Sequence, residues 1–168
     1  PAESPTGEIA KKYPLVLTSG RIPMYHHGTL RNIPYLREIY PVPETWLNPI
    51  TAKQYGVQTG DWVWVESLRG RIRKVRVTEG VGPNIVWMER FWFPETLNTK
   101  TGGWQESNVN VLTKNDAPFN DMVGTYTLRG FQVQISKADG APEGIWQKPQ
   151  DFKPWMPEPS DTTPNVKF

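Results

Sequence analysis

Few residues in this chain have the chemistry to bind or transform a ligand, and most of them fall where strands give way to loops. Thr18-Ser19-Gly20-Arg21 follows the short apolar run Tyr13–Leu17. Small and hydroxyl residues before a glycine leave backbone N–H groups open to an anion, and Arg21 adds a planar, charged fork; an ordinary strand-to-loop turn has the same composition. His26 and His27 are the only histidines. Adjacent side chains diverge, and no carboxylate is close in sequence, so the pair makes a poor metal chelate. Hydrogen bonding to a polar ligand or simple exposure both remain open for them. Asn108 and Asn110 alternate with Val109 and Val111. Each amide offers donor and acceptor to a heterocycle edge, and each equally suits a turn or helix cap. The run Glu89-Arg90-Phe91-Trp92-Phe93-Pro94 either stacks on a heterocycle or closes one end of a core. No serine stands in a nucleophile-elbow context. The absence of cysteine from all 168 residues excludes disulfides, zinc–thiolate sites, iron–sulfur ligation and thiol catalysis within the chain.

The elements that must position these residues are clearest between Glu44 and Val77. Trp46-Leu47 ends an extended segment, Asn48 is a good N-cap, and Pro49 fits the first helical position, where its missing N–H costs nothing. Gly56 can adopt the left-handed conformation that stops this short helix. Thr59-Gly60-Asp61 turns the chain into a strand over Trp62–Glu66, where tryptophan and valine alternate. Arg69-Gly70 marks a hairpin turn, and Arg71–Val77 is expected to return as the partner strand, with a bulge where the apolar phase slips across Arg73-Lys74. Tyr13–Leu17 reads as a central strand, Leu30–Tyr40 as a short helix delayed by Pro34 and stopped by Pro41, Ile85–Met88 as a short strand, and Phe131–Lys137 as the last clean strand.

Seventeen prolines and fourteen glycines imply many turns and little long helix, and eight tryptophans supply large apolar area for one core. A net charge of +2 is too small to argue for nucleic acid as a partner. No apolar run reaches membrane-spanning length, so no direct membrane insertion is expected. Residues 1–12 read as a polar linker. Residues 138–168, with six prolines together with Trp146, Phe152 and Trp155, read as an extended arm.

Taken in order, LTSGR, YHHGTLRN, LNPITAKQYGVQTGDWVWVESLRG and SNVNVLT resemble the C-terminal, molybdopterin-dinucleotide-binding domain of the dimethyl sulfoxide reductase family of molybdenum and tungsten enzymes. The resemblance runs from about Tyr13 to Lys137, and the middle motif is its most specific part. It implies a mainly β fold, a six-stranded double-psi β-barrel with short helices, over residues 13–137. It also implies bis(molybdopterin guanine dinucleotide) with molybdenum or tungsten as cofactor, bound jointly with upstream domains of the same catalytic subunit. An iron–sulfur electron-transfer subunit is a candidate partner. The residue that coordinates the metal lies upstream in that family. The resemblance therefore makes this chain one domain of a longer oxidoreductase whose compartment, cytoplasmic or periplasmic, is not encoded here.

Carried onto this sequence, the resemblance assigns cofactor contacts to Thr18, Ser19, Gly20 and Arg21 at the first turn, and to Tyr25, His26 and His27 in the next loop. Asn48 stands in the N-P motif, Asn110 precedes the L-T pair with Asn108 beside it, and Arg129 precedes the last strand. Arg90 and Trp92 fall in an aromatic stretch lining the same cleft. No residue is assigned to catalysis or to a metal. Two other classes compete: a double-psi-barrel adaptor that binds protein segments without cofactor, and a small self-contained enzyme such as a decarboxylase on the same barrel. The second lacks a nucleophile or acid–base cluster in this sequence.

Overall fold

The computed structural model describes residues 6–30, 33–40, 43–68, 71–73, 76–90, 108–113, 119–125 and 129–140. Residues 91–94 of the aromatic run, Trp92 among them, the Arg69-Gly70 turn and residues 141–168 of the proline-rich arm lie outside them. The described chain is mainly β. Seven strands, β1 (Leu15–Gly20), β2 (Thr45–Leu47), β3 (Val63–Glu66), β4 (Arg71–Arg73), β5 (Arg76–Val77), β6 (Ile85–Glu89) and β7 (Phe131–Lys137), form one sheet in the order β4-β3-β7-β1-β6-β2-β5. Three short helices accompany them: α1 (Glu8–Lys12), α2 (Pro34–Ile39) and α3 (Pro49–Gln54). Among the described residues no helix is long and apolar enough to cross a membrane.

The sheet curls because its two edges are consecutive in sequence. Laid flat, seven strands at ~4.8 Å spacing would hold β4 and β5 about 29 Å apart. Arg73 and Arg76 are joined by three peptide units, which span at most ~11 Å. The edges must therefore approach each other, as in a β-barrel. This differs from the expected hairpin. Only Arg71–Arg73 pairs with β3, antiparallel, whereas Trp46 and Leu47 of β2 take Arg76 and Val77 as parallel partners. The slip in apolar phase read from the sequence coincides with this change of partner; the bulge expected there falls partly on residues 74 and 75, outside the described residues.

β1 is central, parallel to β6 and antiparallel to β7. Its alternation buries Leu15, Leu17 and Ser19, and with Leu47, Val63, Val65, Val86, Met88, Phe131, Val133 and Ile135 the inward residues make one core. Val109 and Leu112 join it from the 3₁₀ turn Val109–Val111. The polar segment expected as a linker forms α1, which packs along β7. α3 has the caps its sequence predicts: Asn48 Oδ1 accepts the Ile50 N–H at 3.0 Å. At the other end Gly56 (φ +65°) is left-handed, with Gly56 N–H bonded to Lys53 O and Val57 N–H to Ala52 O, the paired closure of a Schellman motif.

Candidate functional site: a cationic end of the sheet

Strand register brings the arginines together. Gly20 of β1 stands opposite Glu89 of β6, so Arg21 and Arg90 leave the two parallel strands side by side. The Arg90 N–H donates to Gly20 O at 3.0 Å and holds the two exits together. β7 begins at this same end: Gly130, at φ +81°, donates its N–H to Leu17 O, and Arg129 immediately precedes it. Partial burial lowers the Arg90 pKa from its ordinary value, and the charges of Arg129 and Arg21 lower it further. Among the described residues no carboxylate pairs with Arg21, Arg90 or Arg129. Arginines gathered at one end of the sheet suit the bidentate binding of a phosphate or carboxylate.

His27 joins this group. It lies in the turn His26–Thr29, where both the Thr29 N–H (3.0 Å) and its hydroxyl (2.5 Å) donate to His26 O. His27 has φ +55° while Gly28 does not take a positive φ. Sterics would put the glycine first in such a turn, and a left-handed non-glycine residue costs about 1–2 kcal/mol. The His27 ring meets the His26 ring edge-on at 5.1 Å. Its pKa is lowered, first by loss of solvent around the ring and then by the charges of Arg21, His26 and Arg90.

The remaining expected site residues divide. Thr18, Ser19 and Gly20 are not a loop: they continue β1 and pair with Trp87, Met88 and Glu89, because the parallel ladder to β6 extends past Leu17. Ser19 is buried. Gly20 is required by a close approach, since a Cβ there would lie 2.4 Å from Trp87 Nε1. Tyr25 is turned inward: buried, it donates its hydroxyl to Tyr40 O at 2.7 Å and packs edge-on against the Tyr40 ring. His26 is exposed. Asn108 caps the 3₁₀ turn, its Oδ1 accepting the Asn110 N–H, while the Asn110 side chain is exposed. That turn is held to the loop after β3, where Ser67 Oγ donates to Leu112 O at 3.1 Å.

Asn48 belongs elsewhere. Leu47 pairs with Val86, so Asn48 lies near Ile85, at the far end of β6. Five residues of strand, roughly 17 Å, separate that level from Arg90. Both halves of its amide are occupied, Oδ1 by Ile50 N–H and Nδ2 by Val81 O at 2.8 Å.

Two supports of the cationic end were not evident from the sequence. Trp87 covers Gly20 and stacks on Trp46 at 4.3 Å; Glu44 Oε2 accepts the Trp46 indole N–H at 2.8 Å and pairs with Arg76 at 3.3 Å. Glu89, fully buried beside Arg90, accepts the Glu44 N–H at 3.2 Å and meets the Tyr40 hydroxyl at 3.5 Å. Burial first, then the charges of Glu89 and Glu44, pushes the Tyr40 pKa far up. The sequence signal was an acid directly after the apolar run Ile85–Met88, and the strand extends to include it.

Residues 15–131 match the family model described as the molybdopterin dinucleotide binding domain. The chain belongs to this family. It is 42% identical over 134 residues to the dopamine dehydroxylase of Eggerthella lenta, covering 79% of this chain and 13% of that protein. Against the acetylene hydratase of Syntrophotalea acetylenica it is 32% identical over 130 residues, 73% of this chain and 18% of that protein. The dimethyl sulfoxide reductase DmsA of Escherichia coli is 32% identical over 114 residues, covering 66% of this chain and 13% of DmsA. The solved acetylene hydratase from Pelobacter acetylenicus superimposes with a TM-score of 0.71 at 25% identity, covering 78% of this chain and 19% of that one. This molybdopterin-dinucleotide-binding domain therefore belongs with the dimethyl sulfoxide reductase family, and it spans less than a fifth of the length of these relatives.

Proposed function

We propose that this domain holds the bis(molybdopterin guanine dinucleotide) cofactor of an oxidoreductase catalytic subunit, jointly with upstream domains, and that its barrel is of the double-psi type. The observation that carries this reading is the gathering of Arg21, Arg90 and Arg129, none of them in an ion pair with a carboxylate among the described residues, at the shared end of β1, β6 and β7. A diphosphate needs a few fixed cations and oriented N–H groups rather than a uniform positive field, and this donor set fits one. When bound, the metal–pterin group supplies the redox or oxygen-atom-transfer chemistry.

The chain's own residues bind and orient. Arg21 and Arg90 offer planar forks from adjacent strand ends, Arg129 closes the opposite side, and Asn110 presents an exposed amide to a heterocycle edge. Gly20 lets the Trp87 indole lie against β1, and Tyr25 and Glu89 position the segment between β1 and β2.

Metal and pterin analysis of the native polypeptide carrying this domain tests the reading. Stoichiometric molybdenum or tungsten with guanine-dinucleotide pterin is the expected result. A native product that carries neither would contradict it.

A further inference from the structure

Apolar exposure is unevenly divided between the two ends of the sheet. Among the described residues, six large apolar side chains are more than half exposed: Tyr35, Ile39, Ile50, Leu68, Met122 and Val123. Of these, only Ile50, on α3, belongs to the Asn48 end. Tyr35 and Ile39 share the outer face of α2, while Leu36 and Tyr40 pack inward. The Tyr25 hydroxyl donates to Tyr40 O at 2.7 Å, and the Tyr40 hydroxyl meets Glu89, one residue before Arg90. Leu68 follows β3, which runs to the same end, with Val63 opposite Lys137 and Glu66 opposite Gln134. Met122 and Val123 occupy a turn that closes four residues before Arg129, a length of at most ~14 Å.

That turn is built without their side chains. Asn120 Oδ1 accepts the Met122 and Val123 N–H groups at 3.0 and 3.1 Å. The Asn120 backbone accepts the Gly124 N–H and donates to Thr125 O, both at 2.7 Å, and Gly124 is left-handed at φ +66°. Asn120 and Gly124 thus supply the turn chemistry, and Met122 (90%) and Val123 (71%) are left in solvent. Neighbouring exposed apolar residues on a hydrogen-bonded support mark a docking surface.

We propose that these five side chains form an apolar collar around the arginines, on which the upstream part of the same catalytic subunit docks and seals the anion site from water. This rests on the reading that the ligand is shared with that part, and it adds the contact surface. In the relatives it matches, this domain is 13–19% of the chain, so most of the polypeptide is there to act as occupant. A second copy fits poorly, because a two-fold contact through this patch sets Arg21, Arg90 and Arg129 against themselves. An occupant that shares an anion with the arginines meets no such repulsion. Covering the collar also removes water from around them, and a drier site strengthens their charge-assisted bonds.

Hydroxyl-radical labelling of the native polypeptide carrying this domain tests the collar, read by mass spectrometry against the same polypeptide unfolded in urea. Metal and pterin are measured on the same sample. Tyr35, Ile39, Leu68, Met122 and Val123 should be protected about tenfold, as in the packed core of an interface, and Ile50 far less. Met122→Asp combined with Val123→Asp leaves the backbone N–H groups bonded to Asn120 in place; it should lose most of its pterin on gel filtration, while Ile50→Asp retains it. Pterin present with Met122 and Tyr35 labelled as freely as Ile50 overturns the docking and leaves the cofactor reading standing. Absence of pterin and metal, whatever the labelling, overturns both. Protection that vanishes on dilution assigns the surface to a second copy and overturns the proposal, as does equal pterin retention in the double variant and Ile50→Asp.

Discussion

The two ends of β6 use similar residue types for opposite purposes. At the Ile85 end, Asn48 spends both halves of its amide on Ile50 N–H and Val81 O, the Asn84 N–H donates to Thr51 Oγ1 at 2.9 Å, and a Schellman closure finishes α3. Polar groups there are matched to protein partners. At the Glu89 end, the charges of Arg129 and Arg21 bear on Arg90, those of Arg21, His26 and Arg90 bear on His27, and His27 sits on strained backbone. One end contributes stability; the other forgoes some of it. Like charges held close and backbone strain persist where a ligand, rather than the fold, completes the arrangement.

The sharpest way to break this contrast is to remove the cations. Arg21→Ala combined with Arg90→Ala should lower pyrophosphate affinity at least tenfold by calorimetry, since each charge-assisted bond contributes roughly 1.5–3 kcal/mol. The melting temperature should stay level or rise, because mutual repulsion is relieved. A clear fall in melting temperature would mean that these arginines serve the fold.

Gly20→Ala probes the support beneath the cationic end. Its Cβ would meet three Trp87 indole atoms within 2.9 Å, and overpacking of this kind costs about 1–3 kcal/mol. Chemical denaturation should show that loss, and adding Trp87→Leu should recover much of it. Equal stability of Gly20→Ala and wild type would show that the indole moves aside freely.

Asn48→Ala addresses the opposite end. Losing the cap costs about 1 kcal/mol, with a further contribution from the Val81 bond, so the melting temperature should fall by roughly 2–4 °C per kcal/mol in a chain of this size. Pyrophosphate affinity should not change. A variant that melts like wild type but binds the anion more weakly would move Asn48 into the site.

The smallest effect concerns Asp61, whose carboxyl lies below the usual range because of Lys137 at 2.9 Å and the Gln58 N–H at 3.0 Å. A depressed acid contributes stability above its ordinary titration range and loses it as the pH falls through the folded value. Asp61→Asn should therefore flatten the acid limb of the stability profile slightly. An unchanged limb would show the pair to be without effect, as many exposed pairs are.

Local rules made much of the fold legible. Asn48, Pro49 and Gly56 define α3 through contacts within a few residues, and the alternation of Leu15, Leu17 and Phe131, Val133, Ile135 marks the two central strands. What stayed hidden was non-local. Nothing near Arg71–Val77 announces that its halves pair with β3 and β2, although the slip in apolar phase fell at the division. Thr18–Gly20 looked like a turn because small residues suit turns; the ladder to Trp87–Glu89 keeps them in β1. The arginines could be nominated singly, but their convergence depends on the register of Gly20 with Glu89. Glu89 itself, a buried acid at the end of an apolar strand, needed Tyr40 and the Glu44 N–H to make sense. Trp92 lies outside the described residues.

The central claim is that one end of this sheet, and not the other, receives a phosphorylated ligand. Titrating the labelled chain with guanosine diphosphate while observing arginine and asparagine side-chain N–H signals tests it most directly. Arg21, Arg90 and Arg129 should shift together while the Asn48 amide stays in place; shifts centred on Asn48, or spread evenly over exposed lysines and arginines, would contradict it.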